Sequence, residues 1–397
     1  MRLAKRAEAI SPSSTLAIAA KAKEMKKAGI DVIAFGVGEP DFDTPLAIKQ
    51  AGMKAIADGF TKYMPVGGAD DFKAAIAAKL KRDNALIYQP EEIIVSSGAK
   101  HSLYNAFQVL CEVGDEVIVP TPCWVSYCEQ IKLAGGIPVF AEGKEENGFK
   151  LCPEDLKAVI TPQSRIIVLT SPSNPTGAVY SKAELEALAE VILEHKLWVI
   201  SDEIYEKLVY DGNKHISFAS LSEEAKKATI VINGLSKGYA MTGWRIGYAA
   251  GPKEVIKAMN KLQSHMTSNA ASMAQKAGVE ALSGDQTAAE EMRQEFEKRR
   301  NYMVERLNKM PGIKCCKPGG AFYVFPNVRE FFGKSIGGNK INNSADLANV
   351  LLTEAKVALV PGTAFSAEGY LRISYANSLE QIKEGLDRIE QALSQAE

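Results

Sequence analysis

Residues 233–247 read NGLSKGYAMTGWRIG and place one lysine, Lys237, directly after Ser236 and eight positions before Arg245. A lysine desolvated beside a second cation has a lowered pKa and becomes nucleophilic toward carbonyls. Most lysines that follow a strand are simply solvated. Here Gly234, Gly238, Gly243 and Gly247 leave a lightly clothed backbone that a ligand can approach closely. Ser236 and Arg245 add groups suited to an anion such as phosphate. These residue types fit an aldehyde cofactor that carries a phosphate.

Further candidates follow other apolar runs, where ligands of open α/β sheets bind. After EIIV (92–95) comes SSGAK (96–100), which opens a helix at about Ala99. Free N–H groups and the helix dipole make Gly98, Ala99 and Lys100 a phosphate cradle. After RIIVLT (165–170) comes SPSNPTG (171–177) with Asn174, and after LWVI comes SDEIY (201–205) with Asp202 and Tyr205. Trp124 follows DEVIVPTPC and offers a flat aromatic face. Each has a plainer reading: Asn174 as a turn residue, Asp202 as a helix cap, Trp124 as core. Jointly, an acid, a phenol, an amide, an aromatic plate, a cradle and a lysine all fall at strand ends.

The elements that must position them follow from periodicity. The runs above, with IPVF (137–140), TIVI (229–232) and RIGYAA (245–250), are mostly continuous in polarity, as expected of strands covered on both faces. Between them lie helical patterns such as SKAELEALAEVILEH (181–195), whose Ser181 suits an N-cap. This alternation predicts an α/β fold with a largely parallel sheet flanked by helices. Residues 15–28 read as an amphipathic helix stopped by Gly29. Beyond Gly251 the pattern changes to long helices over 270–310 and short strands at AFYVF (321–325) and LRISYA (371–376). The expected organisation is an N-terminal segment 1–44 packing with the small domain, a large domain 45–289, and a smaller α+β domain 290–397.

Composition narrows the function. The 397 residues are 46% hydrophobic and 24% charged, ordinary for a soluble globular protein. A net charge of −1 supplies no global field for nucleic acid or an anionic membrane. The six cysteines form no CxxC pair and the four histidines do not cluster with them, so no metal site is expected and the thiols read as reduced. The N-terminal MRLAKRAEAISPSS lacks the uninterrupted apolar core of a signal peptide, and no stretch approaches the roughly 20 apolar residues of a membrane span. A cytoplasmic protein is expected. No G-x-G-x-x-G follows the first strand, which argues against a nicotinamide dehydrogenase.

Three motifs in order, G-L-S-K-x(5)-G-x-R, SPSNPTG and SDEIY, carry a resemblance that runs essentially end to end. The sequence resembles the fold-type I pyridoxal-phosphate enzymes of the class I aminotransferase family, and within it subgroup Ib of the aspartate aminotransferases. The resemblance implies pyridoxal 5′-phosphate as cofactor. It implies that Lys237 is the Schiff-base lysine and moves the proton between substrate Cα and cofactor C4′. Asp202 would keep the ring nitrogen protonated and the ring an electron sink. Asn174 and Tyr205 would hold the phenolate oxygen, and Trp124 would stack on the ring. Gly98, Ala99, Lys100, Ser236 and Arg245 would surround the phosphate, with Tyr63 of TKYMPVGG reaching it from the partner in a homodimer.

On the substrate side, Arg372 of LRISYA matches the arginine that grips the α-carboxylate through its planar fork. Gly38 of GVGEPDF lines the same end, with Trp124 and Asn174 also facing the substrate. Lys100 matches the cation for a distal carboxylate, with Thr15 nearby. Some subgroup members that also transaminate prephenate carry a Thr and a Lys at these two positions. One departure is Gly234, where the motif often has a hydroxyl residue, so one phosphate hydrogen bond is missing.

The implied activity moves the amino group of aspartate or glutamate to a 2-oxo acid such as 2-oxoglutarate in a ping-pong cycle, with prephenate as a second acceptor. Rival readings on the same fold are a carbon–sulfur β-lyase and an aminotransferase for neutral or aromatic amino acids. A non-catalytic regulator is a rival of another class, but such regulators usually add a DNA-binding domain.

Overall fold

The computed structural model describes residues 2–12 and 14–397. A short strand β1 (Ile33–Ala34) precedes seven strands of the large sheet. These are β2 (Ile93–Ser96), β3 (Glu116–Thr121), β4 (Ile137–Glu142), β5 (Ser164–Thr170), β6 (Trp198–Asp202), β7 (Thr229–Gly234) and β8 (Gly247–Ala250). Beyond them lie β9 (Tyr323–Val324), the hairpin β10 (Ser335–Ile336) and β11 (Asn339–Lys340), then β12 (Val357–Ala358), β13 (Val360–Pro361) and β14 (Leu371–Ser374).

The large sheet has the order β2-β8-β7-β6-β5-β3-β4. Its β4, β3, β5, β6 and β7 run parallel. Strand β8 runs antiparallel to both of its neighbours, β7 and β2. The sheet is therefore largely parallel, as expected, and mixed only through β8. An apolar run does not encode direction, and the loop 235–246 reverses the chain without the crossover that a parallel neighbour needs. Strand β8 also starts later than the run RIGYAA, because Arg245 adopts a left-handed backbone with φ 55°.

The continuous apolar runs have a direct cause. Along β5, Ile166 and Val168 join the core under helix Ala99–Leu110, while Ile167 and Leu169 join the core under helix Lys182–Glu194. Alternate side chains point to opposite faces, and both faces are covered, so every position from Ile166 to Leu169 is apolar. Each such burial contributes about 1.5–3 kcal/mol. Helix Lys182–Glu194 begins in a reciprocal capping box. Its Ser181 hydroxyl accepts from the Glu184 N–H, and the Glu184 carboxylate accepts from the Ser181 N–H at 2.7 Å. Residues 270–310 form two helices, Ser272–Ser283 and Thr287–Lys309.

The N-terminal part joins the C-terminal strands. β1 pairs in parallel with β12, and Phe35 accepts a backbone hydrogen bond from Ser374 at 2.8 Å. Ile33 and Phe35 share one apolar cluster with Phe296, Tyr323 and Ile373. The stretch AFYVF is strand only at Tyr323–Val324, since Ala321 is left-handed with φ 58°. Among the described residues no helix is long and apolar enough to cross a membrane.

Candidate active site

Parallel register brings Thr170 of β5 beside Asp202 of β6, both at the carboxyl ends of their strands. Tyr127, one helical turn after Trp124, reaches both. Its hydroxyl lies 2.8 Å from Thr170 Oγ1 and donates to Asp202 Oδ2 at 2.6 Å. Burial lifts the Asp202 carboxyl to about 6, and the bonds from Tyr127 and the Ile204 N–H oppose that rise. Such a carboxylate, buried and held through Oδ2 by Tyr127 and through Oδ1 by the Ile204 N–H, suits a cationic N–H partner.

Lys237 follows β7 and points into the same cavity, where its Nζ donates to the Gly38 carbonyl at 2.6 Å. Burial lowers its pKa to about 8; Glu39 acts against the shift, and Arg372, Arg245 and Lys100 reinforce it. The amine is thus available in its neutral, nucleophilic form close to neutral pH.

The cradle forms where β8 meets the start of helix Ala99–Leu110. Gly98 has φ 88°, and a Cβ there would stand 2.5 Å from Arg245 Nη2. A Cβ on Gly247 would collide with the Ala99 nitrogen. Both glycines are needed for that approach. The Ala99 and Lys100 N–H groups open the helix, where no preceding turn supplies an acceptor. Arg245 is held by the Thr242 carbonyl at 2.9 Å and buried Ser236 completes this wall. A hydroxyl residue in place of Gly234 would be tight, since its Cβ would stand 3.0 Å from the Gly247 Cα and the Ile246 oxygen and the neighbouring backbone would have to give by a few tenths of an ångström.

The Lys100 ammonium lies 4.7 Å from the Trp124 ring centroid, and its pKa is lowered by burial and by Arg245. Arg372 is almost wholly buried. Its Nη1 donates to Asn174 Oδ1 at 3.0 Å and its Nη2 to the Gly36 carbonyl at 2.8 Å. Its Nε has no partner among the described residues. The guanidinium carbon lies over the Tyr323 and Phe365 rings, 4.3 and 5.0 Å from their centroids. The hydroxyls of Tyr205 and Tyr323 are 2.9 Å apart.

One cavity of about 510 Å³ gathers Lys237, Asp202, Tyr205, Asn174, Trp124, Lys100, Ala99, Ser236, Arg245, Arg372 and Gly38. Gly98 stands behind its wall, against Arg245. Tyr63 lies outside it and is 91% exposed. Thr15 belongs to helix Ser14–Lys27, and its side chain is outside the described residues. The sequence reading missed Tyr127, Thr170, Tyr323 and Glu39. Only Tyr127 left a local signal, its spacing of three from Trp124 on an incipient helix. Glu203, Glu206 and His215 bring metal-ligating atoms within 4.8 Å of one another. Lys79 already pairs with Glu206, and the Ser201 and Ser217 hydroxyls with Glu203.

The cavity wall carries four cations, Lys100, Lys237, Arg245 and Arg372, against two carboxylates, Glu39 and Asp202. That excess calls for an anionic occupant, and the orphaned Arg372 Nε calls for an acceptor. A phosphate on the cradle, a ring against Trp124, a ring nitrogen at Asp202 and an aldehyde at Lys237 are what pyridoxal 5′-phosphate would bring. On a seven-stranded α/β sheet, this fit defines a fold-type I pyridoxal-phosphate-dependent enzyme. The comparisons with known proteins agree. The model of the family Aminotransferase class I and II matches residues 30–389, and the chain belongs to that family. It is a pyridoxal-phosphate-dependent aminotransferase.

An aspartate aminotransferase of Geobacillus stearothermophilus is 54% identical over 389 residues, covering 98% of each chain. A probable aspartate/prephenate aminotransferase of Rickettsia bellii is 50% identical over 386 residues, covering 97% of each. The crystal structure of an aspartate aminotransferase from Rhizobium meliloti superposes with a TM-score of 0.97 at 44% identity, covering 100% of both chains.

Proposed function

We propose that this aminotransferase takes L-aspartate and L-glutamate as amino donors, passes the amino group to a 2-oxo acid such as 2-oxoglutarate, and accepts prephenate as a second acceptor. The carrying observation is that Lys100 and Arg372, two separate cations, line the cavity that holds Lys237. A dicarboxylate needs both. The names of the relatives above support the same reading.

The geometry supports the following roles. Arg372, held flat by Asn174 and Tyr323, presents its fork to the α-carboxylate. Lys100 meets the distal carboxylate; the pairing with Thr15 rests on the resemblance alone. Bound pyridoxal phosphate supplies the electron sink. Asp202 would retain the proton on the ring nitrogen, and Tyr205 and Asn174 would donate to the phenolate oxygen. Lys237 would anchor the cofactor and, once freed, would move the proton between Cα and C4′. Trp124 would pack on the ring, and Gly98, Ala99, Ser236 and Arg245 would hold the phosphate.

A homodimer completes the site. Leu46, Met53 and Ile56 are all more than half exposed along helix Leu46–Ala57, and their spacing places them on one face. Met266 and Tyr63 are also exposed. This apolar face suits a second copy, which would carry Tyr63 to its partner's phosphate. The division into 1–44, 45–289 and 290–397 is supported by the β1–β12 pairing, although helix Thr287–Lys309 crosses the second boundary. Six free cysteines suit the cytoplasm.

A donor and acceptor screen of the cofactor-loaded protein tests the proposal. Aspartate and glutamate should outrun neutral and aromatic donors, with 2-oxoglutarate and prephenate accepted. A preference for neutral or aromatic donors, release of pyruvate from cysteine conjugates, or no turnover at all would replace it with a rival reading.

A further inference from the structure

Tyr323 lies on β9, opposite Ser374 of β14. Arg372 is two residues from Ser374, so Tyr323 and Arg372 are diagonal neighbours on one face of the pair. That placement lets the Tyr323 ring cover the guanidinium at 4.3 Å while its hydroxyl reaches Tyr205 at 2.9 Å. The side chain is 1% exposed, and a Cβ on Gly38 would stand 3.0 Å from its oxygen. A bare Gly38 is what leaves the hydroxyl room.

We propose that Tyr323 is a positioning residue that sets the donor strength of Tyr205 toward the cofactor oxygen and holds Arg372 for the substrate carboxylate. The inference rests on the assignment of Tyr205 above. The physical argument is a count of protons. Each phenol has one O–H. If Tyr205 donates its proton to the phenolate oxygen, the contact between the two tyrosines persists only with Tyr323 as donor to Tyr205. A hydroxyl that accepts one hydrogen bond donates the next more strongly. Burial raises the pKa of both phenols, so both keep their protons at neutral pH. The ring face makes a separate contribution, a cation–π contact that orients Arg372. One side chain thus ties the grip on the cofactor to the grip on the substrate.

The test uses holoenzyme and three variants, Tyr205→Phe, Tyr323→Phe and Tyr323→Leu. The first readout is the pH midpoint of the bound cofactor's absorption change; the second is the affinity for maleate, an unreactive dicarboxylate. Weaker donation to the phenolate oxygen leaves it more basic and favours the protonated form. Tyr205→Phe should therefore raise the midpoint, and Tyr323→Phe should raise it by a few tenths to one pH unit. Tyr323→Phe keeps the ring and should bind maleate like the parent, whereas Tyr323→Leu should bind it about tenfold more weakly. A midpoint that moves in Tyr205→Phe but stays put in Tyr323→Phe overturns the inference, as does equal loss of maleate affinity in both Tyr323 variants. A midpoint unmoved in Tyr205→Phe overturns the assignment of Tyr205 itself, and this inference with it.

Discussion

Tyr127 donates its hydroxyl proton to Oδ2 of Asp202 at 2.6 Å, bridging the helix Ser126–Leu133 to the end of β6. The bond works against the burial that lifts this carboxyl to about 6. Asp202 must be ionised to hold a protonated ring nitrogen, so cofactor retention should be full above that pH and fall as pH drops through it. In Tyr127→Phe the fall should begin about one pH unit higher, since a hydrogen bond to a charged group contributes about 1.5–3 kcal/mol. Cofactor release at a series of pH values, followed by absorbance, checks this.

The same carboxyl should cost stability when no cofactor is bound. Its folded pKa lies above its ordinary value of 3.8. Its contribution to stability is therefore complete below that value and is lost as pH rises through about 6. Asp202→Asn should stabilise the cofactor-stripped protein at neutral pH, on the order of 1–3 kcal/mol, while reducing transamination by orders of magnitude. Denaturant midpoints at acid and neutral pH provide the comparison, and the gain should vanish at the acid end.

Covalent capture of pyridoxal phosphate should follow the ionisation of Lys237. Its amine titrates at about 8, so the capture rate should rise with pH and level off above that value. Glu39 raises this pKa, and Glu39→Gln should move the midpoint downward. Lys237→Ala should give no borohydride-fixed cofactor on any peptide. Stopped-flow absorbance and peptide mass spectrometry read the two results.

Lys100→Ala should lower kcat/KM by about ten- to hundredfold for aspartate and prephenate, and far less for alanine or an aromatic donor. The contrast between substrates carries the assignment, because Lys100 also lies near Arg245 and the cradle. Equal losses for every substrate, with weakened cofactor binding, would make Lys100 a phosphate ligand instead.

Mixing Tyr63→Phe and Lys237→Ala protomers should restore part of the activity that each homodimer lacks. In the mixed dimer one of the two sites has a native Tyr63 and a native Lys237. A fully active monomer at the same cofactor concentration would remove the basis for this expectation. Sedimentation and activity measured on the same sample distinguish the two.

Much of the molecule was legible because its signals are local. Strand runs stood out since both sheet faces are covered, and helix Lys182–Glu194 announced itself through Ser181 and Glu184. The placement of Lys237, Asp202, Asn174 and the Gly98 cradle followed from one topological fact: parallel strands end at a common edge. Direction was not legible, because the apolar run of β8 reads the same either way. Nor were the partners of the candidate catalytic groups. Tyr127 meets Asp202 across 75 positions and Tyr323 meets Tyr205 across 118. The sequence by itself determined the periodicities, the caps and the residue types at strand ends, all of which act over a few residues. Only the tertiary structure decided which buried groups face each other, that Arg372 meets the rings of both Tyr323 and Phe365, and that Tyr63 is exposed outside the cavity of its own chain. Those contacts depend on strand register and packing, which bring together residues that no local pattern connects.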